Sequence, residues 1–193
     1  RNTQGFGLIA QGTVGSTMAS QGQGKYLIDA GMGVDLFQGT AVRSAAGYIV
    51  TAQAAITNTC IGVLNGIFYN DASTKKPTFA NFYNQPITPA NSEDITAFVI
   101  DNPNQLFVAS IDAAAAQAEY GKTYGLTVTA AGSDLSGQSS SELTYATRHA
   151  TNNQWRLVRT AEDPENNDIA AANCSVVVAH NLNQYFTGAV TWQ

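Results

Sequence analysis

Apolar residues in this chain arrive in short runs, and most runs are closed by Gly, Pro, Asn or Asp. That punctuation leaves little room for long amphipathic helices and reads as strands joined by turns. Residues 25–29 form a short strand bounded by Gly24 and the Gly31-Met32-Gly33 turn signal. Residues 40–43 and 48–51 flank Ala46-Gly47 as a hairpin, rich in β-branched and aromatic residues. Residues 61–69 form a strand with two glycines, Gly62 and Gly66, which mark a bulge or a close backbone approach. Further strands are expected at 95–100 and 106–111, joined by an Asp101-Asn102-Pro103-Asn104 turn, then at 124–129, 155–159, 174–179 and 189–192. In 155–159, Trp155, Leu157 and Arg159 share one face; residues 174–179 are apolar enough to be buried on both faces. One short helix is expected over 113–119, with Asp112 as its N-cap and Gly121 just past its end.

The expected fold is therefore mainly β: a small barrel or sandwich body of one or two β subdomains, with one short helix and an extended N-terminal arm. The arm is residues 1–24. Arg1 is its only charged side chain, and its apolar residues are sparse: Phe6, Leu8, Ile9, Val14 and Met18. Ordering backbone costs roughly 1–2 kcal/mol per residue, more than such a segment recovers by burying itself. An uncharged, Gly-rich stretch suits docking along a neighbouring chain through backbone hydrogen bonds; the alternative is an ordinary mobile chain end. Residues 25–91 then form a β-rich N-terminal subdomain and 92–193 a β-rich C-terminal one. The boundary falls where a long connection, 70–94, ends. That connection holds Pro77, Pro86, Pro89, Phe79, Phe82 and Tyr83, adjoins Tyr69, and carries Lys75-Lys76, read as a solvated tip.

Charge narrows the function classes. Charged residues make up 12% of the chain, against about 25% in ordinary proteins. A surface so poor in charge suits a chain partly covered by partners. The net charge of −5 and only nine scattered basic residues argue against nucleic-acid binding. No apolar run approaches the ~20 residues that a membrane-crossing helix needs, so no membrane partner is expected, and no secretory leader is visible at the start.

Catalytic signatures are sparse. There is no Gly-x-Ser-x-Gly elbow, no His-Glu-x-x-His and no phosphate-binding Gly-Lys-Ser/Thr loop. The two cysteines, Cys60 and Cys174, lack adjacent His or basic residues and read as buried thiols, with a disulfide between them as the alternative. His149 reads as a polar loop residue and His180 as a strand-end residue with an ordinary hydrogen bond. The oxygen-rich run 162–168 reads as turn chemistry, with a structural cation as the alternative. The Ser/Gly-rich run 135–143 is a solvated connection or a docking loop. The expectation is a non-enzymatic protein with no catalytic, cofactor or metal residues.

Several motifs, taken in order, resemble small virion proteins of tailed bacteriophages of the marine type. They are Gln38-Gly39-Thr40-Ala41-Val42, Ala46-Gly47-Tyr48-Ile49-Val50, Ile61-Gly62-Val63-Leu64-Asn65-Gly66 with Pro77-Thr78-Phe79 following, Asp101-Asn102-Pro103-Asn104-Gln105-Leu106-Phe107, Trp155-Arg156-Leu157-Val158 and Val176-Val177-Val178-Ala179-His180-Asn181. Asn102 departs from the group, which more often has a second acid there. The resemblance implies a head decoration (cement) protein on the outer surface of the capsid, bridging subunits of the major capsid protein, often as a homotrimer. On that reading Phe6, Leu8 and Ile9 of the arm and the aromatic anchors Tyr69, Phe79, Phe82 and Tyr83 are the partner-binding residues. The alternative is a host-surface glycan-binding module of a phage head or tail fibre; an enzyme acting on cell-surface polymer is a third reading.

Overall fold

The computed structural model describes residues 4–14, 22–52, 59–127 and 132–185. They form a mainly β protein built from two sheets. The first contains β1 (Ile9–Thr13), β8 (Gln105–Ile111), β9 (Thr123–Leu126), β10 (Leu143–His149), β11 (Trp155–Thr160) and β12 (Cys174–His180). Their order is β1-β8-β10-β9-β11-β12, and β8 pairs with β12 as well. That last pairing closes β8, β10, β9, β11 and β12 into a five-stranded barrel, with β1 attached outside it. The second sheet contains β2 (Gly24–Ile28), β3 (Ala41–Ala45), β4 (Tyr48–Thr51), β5 (Gly62–Asn70), β6 (Pro77–Ala80) and β7 (Ile95–Ile100). Its order is β2-β7-β5-β3-β4, with β6 paired to β5.

A barrel of five strands has a narrow interior that side chains fill completely. Alternation along β8 points Phe107, Ala109 and Ile111 inward, where they meet Tyr124, Leu143, Trp155, Leu157 and Val176. The Phe107 and Trp155 rings meet edge to face, 5.4 Å apart at 81°. A second cluster, around Ile28, Leu36, Val42, Leu64, Tyr83 and Ile95, backs the other sheet. The two are joined at β5, whose successive residues face opposite ways: Val63 enters the barrel cluster and Leu64 the other.

Both glycines of β5 act as backbone devices. At Gly62 a side chain has no room, because a Cβ would stand 2.1 Å from the Ile100 carbonyl oxygen of β7. Near Gly66 the register slips: Leu64 faces Val99 and Gly66 faces Phe98, so Asn65 is the extra, bulged residue.

Three expectations need correction. Residues 113–119 do not form an α-helix; only a 3₁₀ turn, Gln117–Glu119, is present there. The Asp112 carboxylate caps nothing and instead accepts the Tyr145 N–H at 2.8 Å. Four alanines in a row have helix propensity, but a helix this short cannot offset its nucleation cost. The Glu119 side chain fixes the segment instead. It is buried and accepts from Tyr124 Oη at 2.9 Å, Lys122 Nζ at 3.2 Å and Arg148 Nη1 at 2.9 Å. Burial alone would raise this carboxyl; those donors outweigh it and hold the group below its ordinary value.

The boundary expected at 91/92 cuts the second sheet, since β7 pairs with both β2 and β5. The chain passes from that sheet to the barrel at the 101–104 turn. Arg159 does not share the buried face of Trp155 and Leu157. Leu157 faces Val178 and Arg159 faces Val177, so Val158 is a bulge that turns Arg159 outward. The strand expected at 189–192, the arm residues 1–3 and 15–21 and the end of the 124–129 strand lie outside the described residues.

Gly62→Ala forces β5 and β7 apart against backbone, which costs about 1–3 kcal/mol. Urea denaturation of the variant is expected to show that loss, and an unchanged midpoint would show that the close approach at Ile100 is not a constraint.

Candidate interaction surfaces

The N-terminal segment turns at Gly7, whose φ of +75° suits glycine. Gly7 N–H donates to Ser141 O and Leu8 N–H to Gly39 O, both at 2.9 Å. The Leu8 side chain is buried in the barrel cluster, and Ile9–Thr13 then pairs antiparallel with β8, Ile9 facing Val108. This corrects the expectation that the segment finds partners only on another chain: over the described residues it docks on its own body. Backbone hydrogen bonds do carry the contact, and Leu8 is an internal plug, not a partner-binding residue. Phe6 is half-buried and Ile9 is 50% exposed. The two flank depressions on either side of β1. One, of about 290 Å³, is shared with Val63 and Asn65 of β5; the other, of about 400 Å³, has Val108 and Ser175 as its floor and Glu162 and Asp163 on its rim.

The Ser/Gly-rich run serves as a docking loop within the chain. Gln38 N–H donates to Gly137 O and Ser139 N–H to Gln38 O, both at 2.9 Å, tying the run to the segment before β3. The 162–168 run is turn chemistry: Asp163 accepts from Asn166 Nδ2 at 2.7 Å and from the Glu165 N–H at 3.1 Å. Those bonds hold its carboxyl below the usual range. Among the described residues no group of three or more His, Cys, Asp and Glu side chains is placed to hold a metal ion.

The four expected aromatic anchors part company. Phe79 on β6 is 73% exposed. Its ring lies 4.7 Å from Phe68 of β5 and 6.3 Å from Phe98 of β7, making an aromatic platform on the outer face of the second sheet. Phe82 stacks on Phe37 at 5.5 Å and 9° and is half-buried. Tyr69 is half-buried against the second core cluster, and that burial raises its phenol. Tyr83 is wholly buried, and its hydroxyl donates to Met32 O at 2.8 Å. Leu36 and Tyr83 also exchange backbone hydrogen bonds at 2.9 and 2.7 Å. Tyr83 is therefore a core residue that fastens the long connection, and its placement among the anchors is corrected.

Sequence reasoning did not bring Cys60 and His180 together. The structure sets Cys60 Sγ 3.5 Å from His180 Nδ1 and 3.8 Å from Leu182 O. The imidazole packs on Trp155, 4.5 Å between ring centres, and edge-on to Phe107. Burial pushes the thiol up to about 12 and the imidazole down to about 4. Both groups are neutral near pH 7 and the proton stays on sulfur, so the pair is a packing contact and not an activated nucleophile. Cys60 and Cys174 are both buried and are not joined by a disulfide.

No protein-family model matches the chain, and neither the curated proteins nor the solved structures give a match.

His180 predicts acid sensitivity. An unfolded histidine titrates near 6.5 and the folded one at about 4, so the unfolded chain binds the extra proton between those values. The stability contribution of the neutral ring is complete above about pH 6.5 and is lost as pH falls through 4, about 3 kcal/mol in all. Urea midpoints measured from pH 7 to pH 4 are expected to show this fall in the native chain and a shallower one in His180→Gln. Equal slopes would remove His180 from the account.

Proposed function

We propose that the protein is a structural virion component: a decoration protein that sits on the outer surface of a tailed-phage capsid and bridges subunits of the major capsid protein. The observation that best supports this reading is the state of β1. The barrel sheet ends at this strand, whose outer edge borders no other strand among the described residues. Its residues are largely exposed, with Ile9 at 50%, and a depression lies on each flank. A strand of that kind can accept an extended segment of a neighbour through backbone hydrogen bonds, with Ile9 and Phe6 supplying apolar contact. The low charge of the chain agrees with a surface that is covered in use.

Assembly as a homotrimer completes the proposal. Each β1 contact is modest, but three contacts in one oligomer become effectively intramolecular once the first is made, and retention on the shell rises steeply.

Ile9→Glu places a charge on the exposed side of β1 without touching the buried Leu8. Mixed with shells stripped of the protein, the variant is expected to bind at least about tenfold more weakly, a loss of ~1.4 kcal/mol or more in overall binding. Its urea midpoint is expected to match that of the native chain. Undiminished shell binding would sink the role given to β1.

A further inference from the structure

On the outer face of the second sheet, a depression of about 330 Å³ has the Phe79 and Phe98 rings as walls. The two rings lie within 18° of parallel. Gly66 of β5, opposite Phe98 in the strand register, also lines it and adds no side chain. The polar groups around it are the carboxamides of Gln23, Asn65 and Asn81. Asn65 is the bulged residue of β5, and a bulge re-aims a side chain that the strand's alternation would otherwise place elsewhere. Its Oδ1 accepts from Gln38 Nε2 at 2.9 Å, which fixes the amide's orientation and leaves Nδ2 as a donor. Asn81 is held in the same way, by donating from Nδ2 to Ser136 O at 2.7 Å, which leaves Oδ1 as an acceptor. Asn65 also lines the adjoining depression beside β1, where Gln38 and Gln138 continue the row of amides.

Among the described residues no charged side chain lines either depression. Lys25 lies opposite Phe98 in the strand register but does not line the site. Anionic ligands, phosphate included, therefore find no counter-charge there. What remains is an exposed ring, Phe79, beside a half-buried one, Phe98, with fixed amide donors and acceptors at their edge. Sugar rings carry a face of C–H groups, which stacks on aromatic carbon, and rim hydroxyls that both donate and accept. A few placed polar groups in a largely apolar pocket are the ordinary means of fixing such a ligand.

We propose that the depression between Phe79, Phe98 and Asn65 is a binding site for a neutral oligosaccharide. Sugar rings pack on the phenyl groups, and their hydroxyls pair with the Asn65 and Asn81 amides. The site stands on these residues alone, so it holds whether or not β1 docks on a shell.

The experiment is an amide-resolved NMR titration of the full chain with four hexasaccharides. Three are neutral (of the malto, cello and N-acetylchito series) and one is an anionic oligogalacturonate. At least one neutral sugar is expected to shift the Gly66 backbone and the Asn65 and Asn81 side-chain signals, with little response to the anionic one. Phe79→Ala and Asn65→Ala are each expected to weaken that binding at least about tenfold, while Val158→Ala, on an exposed residue of β11 that lines neither depression, leaves it unchanged. Phe79 is exposed enough that its loss is expected to leave the urea midpoint in place. No response to any neutral sugar up to about 10 mM, binding only of the anionic one, or binding that survives both substitutions would overturn the proposal.

Discussion

The structure turns on how β8 divides its two edges. Along one edge it pairs with β12 from Leu106 to Ile111. The other edge is shared: β10 meets it only at Ile111, through Leu143, and then diverges to pair with β9. That early divergence leaves Gln105–Val108 without a barrel partner, and buried backbone groups without partners are costly. β1 fills the vacancy, with Ile9 opposite Val108 and Thr13 opposite Gln105. Barrel closure thus creates the docking place for the N-terminal segment. The segment in turn carries Leu8 into the barrel cluster and links the Gly39 turn to Ser141.

This explains both what was legible about the arm and what was not. Its lack of charge and sparse apolar residues indicate a segment that relies on backbone pairing, and over the described residues it does pair, through β1. They cannot say whose backbone it pairs with. A vacant edge exists only once β8, β10 and β12 are assembled, and the single Leu143–Ile111 contact that defines it has no local signature. By contrast the strands themselves are local features. Turn residues and alternation placed most of them to within a residue or two, and the two glycines of β5 announced both the close approach at Gly62 and the bulge beside Gly66. The 113–119 stretch went the other way, because Glu119 finds Tyr124, Lys122 and Arg148 only in the folded barrel.

The aromatic residues show the same limit at the level of sites. Phe79, Phe82 and Tyr83 lie in one Pro-rich connection and look alike in sequence, yet one is exposed, one half-buried and one wholly buried. Their fates follow from pairing. Phe79 lies on β6 and faces outward opposite Phe68, whereas Tyr83 makes a bridge with Leu36 that draws its ring inward. The platform's other members, Phe68 and Phe98, come from the preceding and following strands, β5 and β7, and only the pairing of those strands sets them beside Phe79. Of the platform and its polar rim, only Phe79 was legible in the sequence, as an aromatic of the Pro-rich connection; Asn65 takes its place through the β5 bulge.

The sheet edges bear on where such a protein can add a partner. Exposed strand edges invite pairing with other chains, and folded proteins blunt them with charge, proline or brevity. Among the edges described here, β6 begins at Pro77 just after Lys75-Lys76 and spans only Pro77–Ala80. β2 presents Lys25 on its exposed side. β1 has none of these defences: it holds no charge and no proline, and its exposed residues include Ile9. Its one irregularity is the register shift between Ala10 and Thr13, where Gly12 takes a φ of +66°. A bulge of that kind bends an edge without closing it. β4, the other edge of the second sheet, also lacks charge and proline but spans only Tyr48–Thr51. β1 is the edge that the barrel itself holds in place through Leu8, so a segment that paired with it would meet a strand already ordered, the entropy of arranging it having been met within the chain.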